Sequence, residues 1–388
     1  MLGVLGGGQL GLMFALAARR MGYLTTVVDP DPHAPAFSVA DRKIVGSYGN
    51  PEILSDLAAS CQAVTTEFEN VPAASLAVLE KSLTVRPSSR SVATCQDRIL
   101  EKSFLRDNGF ETAPFLVISE GKRLSSELLV PLLPGILKAS REGYDGKGQW
   151  VVTSFEEVVR RIGERSGPFV LEKKLDLKSE FSVVLARGHD GRTALYPVAE
   201  NIHEGGILHI SAVPAGISPD LSERIRSLAE KIAIKLDYEG VLSVEFFLAN
   251  EDRLYVNELA PRPHNSGHYT IDACVASQFD QHVRALAGLP LATTTLLSPC
   301  AMGNILGELW QKGSLPQFRP ILDHPSAKLY LYGKKNSRPG RKMGHFTILG
   351  GSATEATHVA RRLLATLSGA PARPDSGHAT VEKNLHLQ

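Results

Sequence analysis

Apolar and polar positions alternate along the N-terminal part of the chain in a pattern that predicts strands and helices in turn. Short apolar runs predict strands at Leu2–Leu5, 24–29, 43–45, Ala63–Thr66 and 83–85. Between them, apolar residues recur at helical spacing at 9–21, 51–59 and 72–80. Strands that alternate with helices are typical of a parallel sheet covered by helices, so this part is predicted to be α/β.

The rest of the chain predicts an α+β arrangement rather than a longer parallel sheet. A charged helix is predicted at 89–108, and a region of short strands at 114–172. Long apolar strands and further helices follow, at 180–186, 222–236, 241–248, 254–259 and 355–367. Periodicity is weak from residue 369 onward. We therefore expect four segments, at 1–105, 106–178, 179–320 and 321–388.

Composition is that of a globular enzyme and excludes several other classes. The 388 residues exceed what one hydrophobic core usually holds, so more than one domain is expected. A net charge of +1 gives no field that attracts nucleic acid or an anionic membrane. The chain has no apolar run of membrane-spanning length and no secretory signal at its start. Its four scattered cysteines indicate reduced thiols in a cytoplasmic protein.

A glycine-rich turn follows the first predicted strand. Residues 6–11 fit the pattern G-x-G-x-x-G, and Asp29 ends the next strand, where a dinucleotide fold places its ribose-binding acid. This pattern alone would indicate an NAD-dependent oxidoreductase. Physically it requires only a tight turn at a helix N-terminus, whose free N–H groups favour any phosphate or carboxylate. A tight turn without a ligand is the alternative.

A second glycine-rich stretch lies between two predicted strands. The first strand, 136–140, carries Lys138, and residues 143–149 form the connection to the next strand. Because a P-loop must open a helix, this stretch is not one. A hairpin loop of this kind can fold over a triphosphate, donate backbone N–H groups to it and exclude water. An exposed hairpin without a ligand is the alternative.

Two carboxylates and an amide lie on a predicted hairpin of apolar strands. Glu245 is on the first strand, and Asn257 and Glu258 are on the return strand. Antiparallel pairing across the short turn brings these side chains close together. Buried carboxylates need a positive partner, and Mg²⁺ prefers oxygen ligands shared with nucleotide phosphates. A strand-edge acid paired with a surface lysine is the alternative.

The segment after this hairpin presents polar donors on a loop. Residues 260–268 contain two prolines and a glycine, which exclude a regular helix or central strand. Arg262, His264 and Asn265 are therefore candidate donors to bicarbonate or phosphate. A zinc site is disfavoured because the H-E-x-x-H pattern is absent.

Two further sites carry candidate substrate contacts. Lysines and arginines cluster at 334–342, including Lys334 and Arg341, which indicates either a phosphate pocket or a solvated hairpin. Glu67 follows a strand of the parallel sheet, at the edge where such sheets bind ligands. It could face a substrate amine or cap a helix.

Taken in order, these segments resemble the N5-carboxyaminoimidazole ribonucleotide synthetase family, the biotin-independent carboxylating members of the ATP-grasp superfamily. The resemblance extends from Gly6 to about His345. It depends on five motifs in the family's order: GQLG at 8–11, TEFE at 66–69, GYDGKGQ at 143–149, NELAPRPHNSGH at 257–268 and RPGRKMGH at 338–345. The resemblance implies an ATP-grasp fold preceded by a Rossmann-like parallel-sheet domain, and a homodimer.

The resemblance also implies roles for individual residues. ATP would be bound by Arg98, Lys138, Gly143, Tyr144, Asp145, Gly146, Lys147, Gly148, Gln149, Glu172, Lys173, Lys174, Leu175, Glu180, His203, Asn257 and Glu258. Mg²⁺ or Mn²⁺ would be bound by Glu245 and Glu258, while Arg262, His264 and Lys138 would act in catalysis. The imidazole ribonucleotide would contact Glu67, Tyr144, Asp145, Asn265, Lys334 and Arg341.

The activity that the resemblance implies is carboxylation of the amine of 5-aminoimidazole ribonucleotide, with ATP and bicarbonate, through carboxyphosphate, in purine synthesis. Three alternatives stand beside it: an ATP-grasp ligase that uses formate or a biotinyl carrier, an NAD-dependent oxidoreductase, and a nucleotide-binding protein without catalysis. The oxidoreductase interpretation does not explain the acidic hairpin or the 143–149 loop.

Overall fold

The structure, a computed structural model, describes residues 1–119, 124–141, 148–310 and 315–369, apart from the side chain of Glu251. The predicted nucleotide contacts at 143–147 therefore lie outside the described residues, as does the chain after residue 369.

The N-terminal part forms a five-stranded parallel sheet in the order β3-β2-β1-β4-β5, here called the N-terminal sheet. Its elements are β1 (Leu2–Leu5), α1 (Gln9–Arg20), β2 (Thr25–Asp29), β3 (Arg42–Val45), α2 (Pro51–Ser60), β4 (Ala63–Thr66), α3 (Ala73–Leu79), β5 (Thr84–Val85), α4 (Ser89–Gln96) and α5 (Arg98–Asp107). Successive strand residues point to opposite faces, so Leu2 and Val4 pack with α1, whereas Leu5 and Val64 pack with α2 and α3.

The prediction of one continuous helix at 89–108 is wrong. Asp97 has extended backbone, with φ −122° and ψ 110°, and separates α4 from α5. Its carboxylate accepts a hydrogen bond from the backbone N–H of Ile99 at 3.0 Å and so caps α5. It also accepts one from the hydroxyl of Ser140 at 2.6 Å. This tertiary contact and the cap together outweigh the helical periodicity of the segment.

A four-stranded antiparallel sheet, the small sheet, follows in the order β6-β9-β7-β8. Its elements are β6 (Phe115–Ile118), α6 (Ser126–Leu129), β7 (Gly135–Ala139), β8 (Gln149–Val152), α7 (Phe155–Gly163) and β9 (Phe169–Lys173). Leu137, Val158 and Leu171 are fully buried in its core. The predicted strand, loop and strand arrangement around Lys138 is confirmed, because β7 and β8 pair antiparallel with Lys138 opposite Gln149.

The remaining strands form one large antiparallel sheet in the order β15-β14-β10-β12-β13-β16-β18-β17, with β11 paired to β10. Its elements are β10 (Leu177–Arg187), β11 (Thr193–Leu195), β12 (Ala199–Glu204), β13 (Ile207–Val213), α8 (Pro219–Lys235), β14 (Gly240–Ala249), β15 (Leu254–Ala260), α9 (Thr270–Ala273), α10 (Gln278–Leu286), β16 (Cys300–Leu306), α11 (Arg319–Leu322), β17 (Ala327–Leu331), β18 (Lys342–Leu349) and α12 (Ala353–Ser368). The predicted α/β part followed by an α+β part is confirmed.

Two further expectations concern the whole chain. All four cysteines are free thiols, as their scattered spacing predicts. Within the described part of the chain, no helix combines the length and the apolar character needed to cross a membrane.

Candidate active site

The glycine-rich turn before α1 is occupied by two of the chain's own carboxylates. Glu67, just after β4, accepts hydrogen bonds from the backbone N–H groups of Gly8 at 2.5 Å and Gly11 at 2.7 Å. Asp29 accepts one from Gly7 at 2.7 Å. The predicted anion at this helix N-terminus is therefore internal, and Glu67 acts as a helix-capping acid. A Cβ on Gly8 would lie 2.3 Å from Glu67 Oε1, which explains why glycine occupies this position.

One predicted ribonucleotide contact, Lys334, lies close enough to this capped turn to act on Glu67. Burial raises the pKa of the Glu67 carboxyl, while the ammonium group of Lys334 acts in the opposite direction. Lys334 lies between β17 and β18 and donates to the carbonyl of Lys342 at 2.7 Å. Arg341, in the same connection, donates to the carbonyl of Asn336 at 2.6 Å. The basic cluster is therefore ordered by its own backbone, and Lys334 is electrostatically linked to Glu67.

The β14–β15 hairpin places the predicted acids side by side. Glu245 and Glu258 are direct partners in the strand register. Asn257 donates its side-chain N–H to Glu245 Oε2 at 3.3 Å. Burial, together with the charge of Glu258, raises the pKa of Glu245 to about 7. The prediction that this hairpin brings the three side chains together is confirmed. The carboxylates of Glu245 and Glu258 repel each other when both are ionised.

These groups fit a divalent cation that is held jointly with a nucleotide. Among the described residues, no cluster of three or more His, Cys, Asp or Glu side chains could hold a metal ion by itself. The buried Oδ1 atom of Asn257 has no hydrogen-bond partner among those residues. A cation between Glu245 and Glu258 would relieve the repulsion that raises the pKa of Glu245. Phosphate oxygens would complete the oxygen ligands that Mg²⁺ requires.

A buried network of charges connects the small sheet to this hairpin. Glu172, at the end of β9, lies 2.9 Å from the ammonium group of Lys138 and 3.2 Å from that of Lys102. Lys102 also donates to the backbone carbonyl of Asn257 at 2.9 Å. Burial acts to raise the pKa of Glu172, but the two ammonium groups outweigh it and lower the pKa to about 2. A cationic pair therefore stands beside the acidic pair.

Other predicted ATP contacts lie around this network. The side chain of Arg98 donates to the carbonyl of Ala139, on β7, at 3.2 Å. Gly148 has a φ of +68°, and Gln149 begins β8, so both lie at the base of the β7–β8 hairpin. Lys173 ends β9, and Lys174 and Leu175 connect it to β10.

Glu180 and His203 form a separate pair on neighbouring strands of the large sheet. His203 Nδ1 lies 3.1 Å from Glu180 Oε2. Burial acts to lower the pKa of His203, but the hydrogen bond and charge of Glu180 outweigh it and raise the pKa. The charge of Glu180 also contributes to the raised pKa of Glu245, so this pair belongs to the electrostatic environment of the acids.

Arg262 joins the large sheet to the N-terminal part of the chain. Its guanidinium makes two hydrogen bonds to the carboxylate of Glu69, one of them from Nη2 to Oε1 at 3.2 Å. Burial acts to raise the pKa of Glu69, and the charge of Arg262 lowers it to about 2. Arg262 is thus held in place by an acid from the loop after β4.

His264 connects the polar loop to the acid pair. Its Nε2 atom lies 3.3 Å from Glu245 Oε1, and its Nδ1 atom lies 2.8 Å from the hydroxyl of Ser266. Burial, and then the charges of Arg262 and Lys342, lower the pKa of His264 well below its usual 6.5. The imidazole is therefore neutral near pH 7 and offers a single N–H.

The neighbouring Asn265 and His268 are also buried. Both polar atoms of the Asn265 amide have no hydrogen-bond partner within the described residues, which suits a side chain that binds a ligand. His268 lies 3.0 Å from the amide of Gln278 and packs against His345, with ring centroids 4.8 Å apart. His268 therefore belongs to the packing between the loop and β18.

Comparisons with known proteins agree on one family. Residues 1–96 match the ribonucleotide synthetase preATP-grasp domain, residues 103–279 the ATP-grasp domain, and residues 300–359 the phosphoribosylaminoimidazole carboxylase C-terminal domain. The N5-carboxyaminoimidazole ribonucleotide synthase of Brucella melitensis is 44% identical over 349 residues, covering 89% of this chain and 95% of that protein. The chain belongs to the N5-carboxyaminoimidazole ribonucleotide synthase family.

Solved structures of this synthase family share the fold. The ADP complex of one N5-carboxyaminoimidazole ribonucleotide synthetase has a TM-score of 0.86 and 41% identity, covering 94% of this chain and 96% of its own. The Aspergillus clavatus synthase, in complex with ADP and 5-aminoimidazole ribonucleotide, has a TM-score of 0.85 and 31% identity, covering 95% and 98%. Membership of the synthase family excludes the oxidoreductase interpretation of residues 6–11.

Sequence reasoning missed residues that support the site of this synthase. Lys102 lies on a charged helix, where a lysine is usually assigned to solvent, although its spacing from the buried Leu105 places both on one helical face. Gln278 accepts from the backbone N–H of His264 and donates to its carbonyl, both at 2.8 Å. Glu69 lies in the TEFE motif at 66–69, which by itself does not indicate its pairing with Arg262. Only the helical spacing of Lys102 was visible in advance.

Proposed function

We propose that this chain catalyses the ATP-dependent carboxylation of the amine of 5-aminoimidazole ribonucleotide by bicarbonate. The products are N5-carboxyaminoimidazole ribonucleotide, ADP and phosphate, and the reaction is a step of purine synthesis. The observation that carries the proposal is the opposed pair of Glu245 and Glu258 beside the ammonium groups of Lys102 and Lys138, in a member of this synthase family. Such an arrangement suits a nucleotide triphosphate and its divalent cation.

ATP lies where the β7–β8 hairpin, the connection at 172–175 and the β14–β15 hairpin meet. Lys138 offers its ammonium group to the phosphates, and Glu172 holds that group in place at 2.9 Å. Glu245, Glu258 and the Oδ1 atom of Asn257 would supply oxygen ligands for Mg²⁺ or Mn²⁺. The cation neutralises phosphate charge when it is bound. The loop at 143–147, which the sequence predicts to fold over the phosphates, lies outside the described residues.

Bicarbonate attacks the γ-phosphorus of ATP, and the products of this step are carboxyphosphate and ADP. Phosphoryl transfer depends on positioning and charge stabilisation more than on covalent help. Arg262 and His264 donate hydrogen bonds to the bicarbonate oxygens, and Lys138 stabilises the charge on the transferred group. Carboxyphosphate then loses its phosphate to give CO₂, which the amine of the ribonucleotide attacks. The proton that the amine releases passes to phosphate or to a nearby carboxylate.

The imidazole ribonucleotide binds between the N-terminal sheet and the β17–β18 connection. Lys334 and Arg341 bind its phosphate. This assignment is supported by Glu67, which already occupies the N–H groups at the start of α1 and so leaves the basic cluster as the phosphate site. Glu67 and Asn265 contact the rest of the nucleotide, together with residues 144 and 145 outside the described range.

Three features of organisation are part of the same proposal. The chain is divided into segments at 1–105, 106–178, 179–320 and 321–388. It acts in the cytoplasm, and it assembles as a homodimer. Size-exclusion chromatography with light scattering measures the assembly. A monomer at all concentrations would contradict the proposed homodimer.

A coupling assay tests the proposed reaction. Purified protein with ATP, Mg²⁺ and bicarbonate is expected to release phosphate only when 5-aminoimidazole ribonucleotide is added, with one labelled carboxyl group incorporated per phosphate. Formate in place of bicarbonate, or a biotinyl acceptor in place of the ribonucleotide, is expected to give no phosphate release. Equal phosphate release without the ribonucleotide would contradict the proposal, and so would release with formate.

A further inference from the structure

A line of buried polar side chains crosses the large sheet and ends at His264. The hydroxyl of Ser211 donates to Asn201 Oδ1 at 2.8 Å, and Asn201 Nδ2 donates to the hydroxyl of Ser182 at 2.9 Å. The Ser182 hydroxyl lies 2.7 Å from that of Ser266, which lies 2.8 Å from His264 Nδ1. These serines and Asn201 are at most 6% exposed, and we call them the serine–asparagine chain.

The amide of Asn201 gives this chain a direction. A serine hydroxyl has one proton to donate, and the Ser182 hydroxyl, which accepts from Asn201 Nδ2, has the Ser266 hydroxyl as its other partner among the described residues. The order that satisfies every group therefore sends the Ser182 proton towards Ser266. Ser266 in turn accepts from Ser182 and donates to His264 Nδ1. In this order, the ring nitrogen at that end carries a lone pair.

The backbone reaches the same conclusion independently. The N–H of Ser266 points at His264 Nδ1 at 3.4 Å, and an N–H group only donates. A proton on Nδ1 would face this backbone donor, and the Ser266 hydroxyl could accept it only by turning its own proton away from the ring. On the other side of the ring, Nε2 lies 3.3 Å from Glu245 Oε1, so a proton on Nε2 would point at a carboxylate oxygen. Both sides of the imidazole thus favour a proton on Nε2.

We propose that Ser266 and Ser182 are positioning residues that hold His264 as its Nε2–H tautomer, so that it serves as a hydrogen-bond donor at the bicarbonate site and not as a base. This inference rests on the proposed function and adds a role for side chains that touch neither ATP nor bicarbonate. In a functional histidine, the hydrogen bond made by one ring nitrogen commonly determines which of the two nitrogens carries the proton. The opposite tautomer would aim the Nε2 lone pair at Glu245 and at the oxygens of the substrate.

The first measurement is the tautomer itself. Protein labelled with ¹⁵N-histidine is examined by long-range ¹H–¹⁵N correlation without substrates, and the H264Q variant identifies the signals of His264. The wild type is expected to show an unprotonated Nδ1 and a protonated Nε2. The S266A variant is expected to show a mixture of tautomers, because the shorter of the two donors to Nδ1 is lost and only the backbone N–H at 3.4 Å remains there. A protonated Nδ1 in the wild type overturns the proposal.

Turnover provides the second measurement. For S266A, kcat is expected to fall about tenfold, the value of one lost hydrogen bond, while the KM for ATP changes little. S182A, one bond further away, is expected to change in the same direction by less, and the double variant to be no slower than S266A, because both act through one chain. S182A also supplies the test should S266A fold poorly.

Ser243 provides the matched control. It is a fully buried serine on β14, two positions from Glu245, and its hydroxyl has no hydrogen-bond partner within the described residues. S243A is expected to keep the tautomer and kcat of the wild type. Should S266A turn over as fast as S243A, or keep a single Nε2–H tautomer, the proposal is wrong. A wild-type protein that carboxylates no ribonucleotide would reject the proposed function, while the tautomer measurement would still decide this inference.

Discussion

Lys102 lies on α5 with 1% of its surface exposed, and it contacts Glu172 at 3.2 Å and the carbonyl of Asn257 at 2.9 Å. A charge so completely removed from water is tolerated only when it is paired. Its two partners belong to the small sheet and to the acidic hairpin. A single side chain therefore fixes the distance between the group that holds Lys138 and the strand that carries Glu258.

Replacing Lys102 by methionine is expected to destabilise the protein by roughly 3–5 kcal/mol, since Glu172 loses one of its two cations. The folded-state pKa of Glu172 is about 2, below the ordinary 4.5, so its ion pairs stabilise the fold above about pH 4.5, and this contribution is lost as the pH falls towards 2. In K102M the pKa of Glu172 rises, and less stability is lost over that interval. Urea unfolding at several pH values measures both effects.

The exposed pair of Lys178 and Asp252 provides the control for K102M. Their atoms approach to 2.9 Å, but the two side chains are 58% and 76% exposed. K178M is expected to change the unfolding free energy by less than about 1 kcal/mol and to keep the wild-type pH dependence. A K102M variant that behaves like K178M would show that the buried network does not stabilise the fold.

At the scale of elements, sequence periodicity predicts the helices and strands whose boundaries depend on residues close in the sequence. The strands that became β14 and β15 were predicted to within a residue or two at each end, because their apolar runs and the polar turn between them are local. The break at Asp97 was missed because the partner that holds it, Ser140, is 43 residues away. The capping of α1 by Glu67 likewise joins positions 59 residues apart, so the glycine motif alone did not reveal which anion it binds.

The β14–β15 hairpin gives a prediction with two readouts. Replacing Glu258 by glutamine is expected to lower turnover by about a thousandfold, since one of the two carboxylates proposed to hold the cation is lost. In metal-free wild type, the pKa of Glu245 is raised from 4.5 to about 7, so stability present below about pH 4.5 is lost as the pH rises through 7. E258Q removes the charge of Glu258, so the stability lost between about pH 4.5 and pH 7 should be smaller than in the wild type.

Activity assays and urea unfolding in the presence of a chelator, at about pH 5 and about pH 7.5, measure the two readouts. The control is E223Q, which changes an exposed acid on α8 and is expected to keep wild-type turnover and pH dependence. Full activity of E258Q would exclude its role as a metal ligand. An unchanged loss of stability between the two pH values would contradict the repulsion between the acids.

At the scale of the whole molecule, the proposed site is shared between the N-terminal part and the rest of the chain. Glu67 and Glu69 follow β4, whereas Lys334 lies beside β18 and Arg262 beside β15. Arg86, after β5, holds these parts together. It lies 2.5 Å from Glu239 and donates to the carbonyls of Ala285 and Leu286 at 3.0 and 3.1 Å.

Replacing Arg86 by methionine is expected to separate the two substrates kinetically. The KM for the imidazole ribonucleotide should rise about tenfold, because its proposed contacts come from both sides of this junction and small displacements are costly. The KM for ATP should change less, because Lys138, Glu172 and Glu258 all lie outside the N-terminal sheet. The R42M control breaks the pair of Arg42 with Asp56, which lies within the N-terminal part, and should leave both KM values unchanged. Equal increases in both KM values for R86M would mean that the junction positions the whole site rather than the ribonucleotide alone.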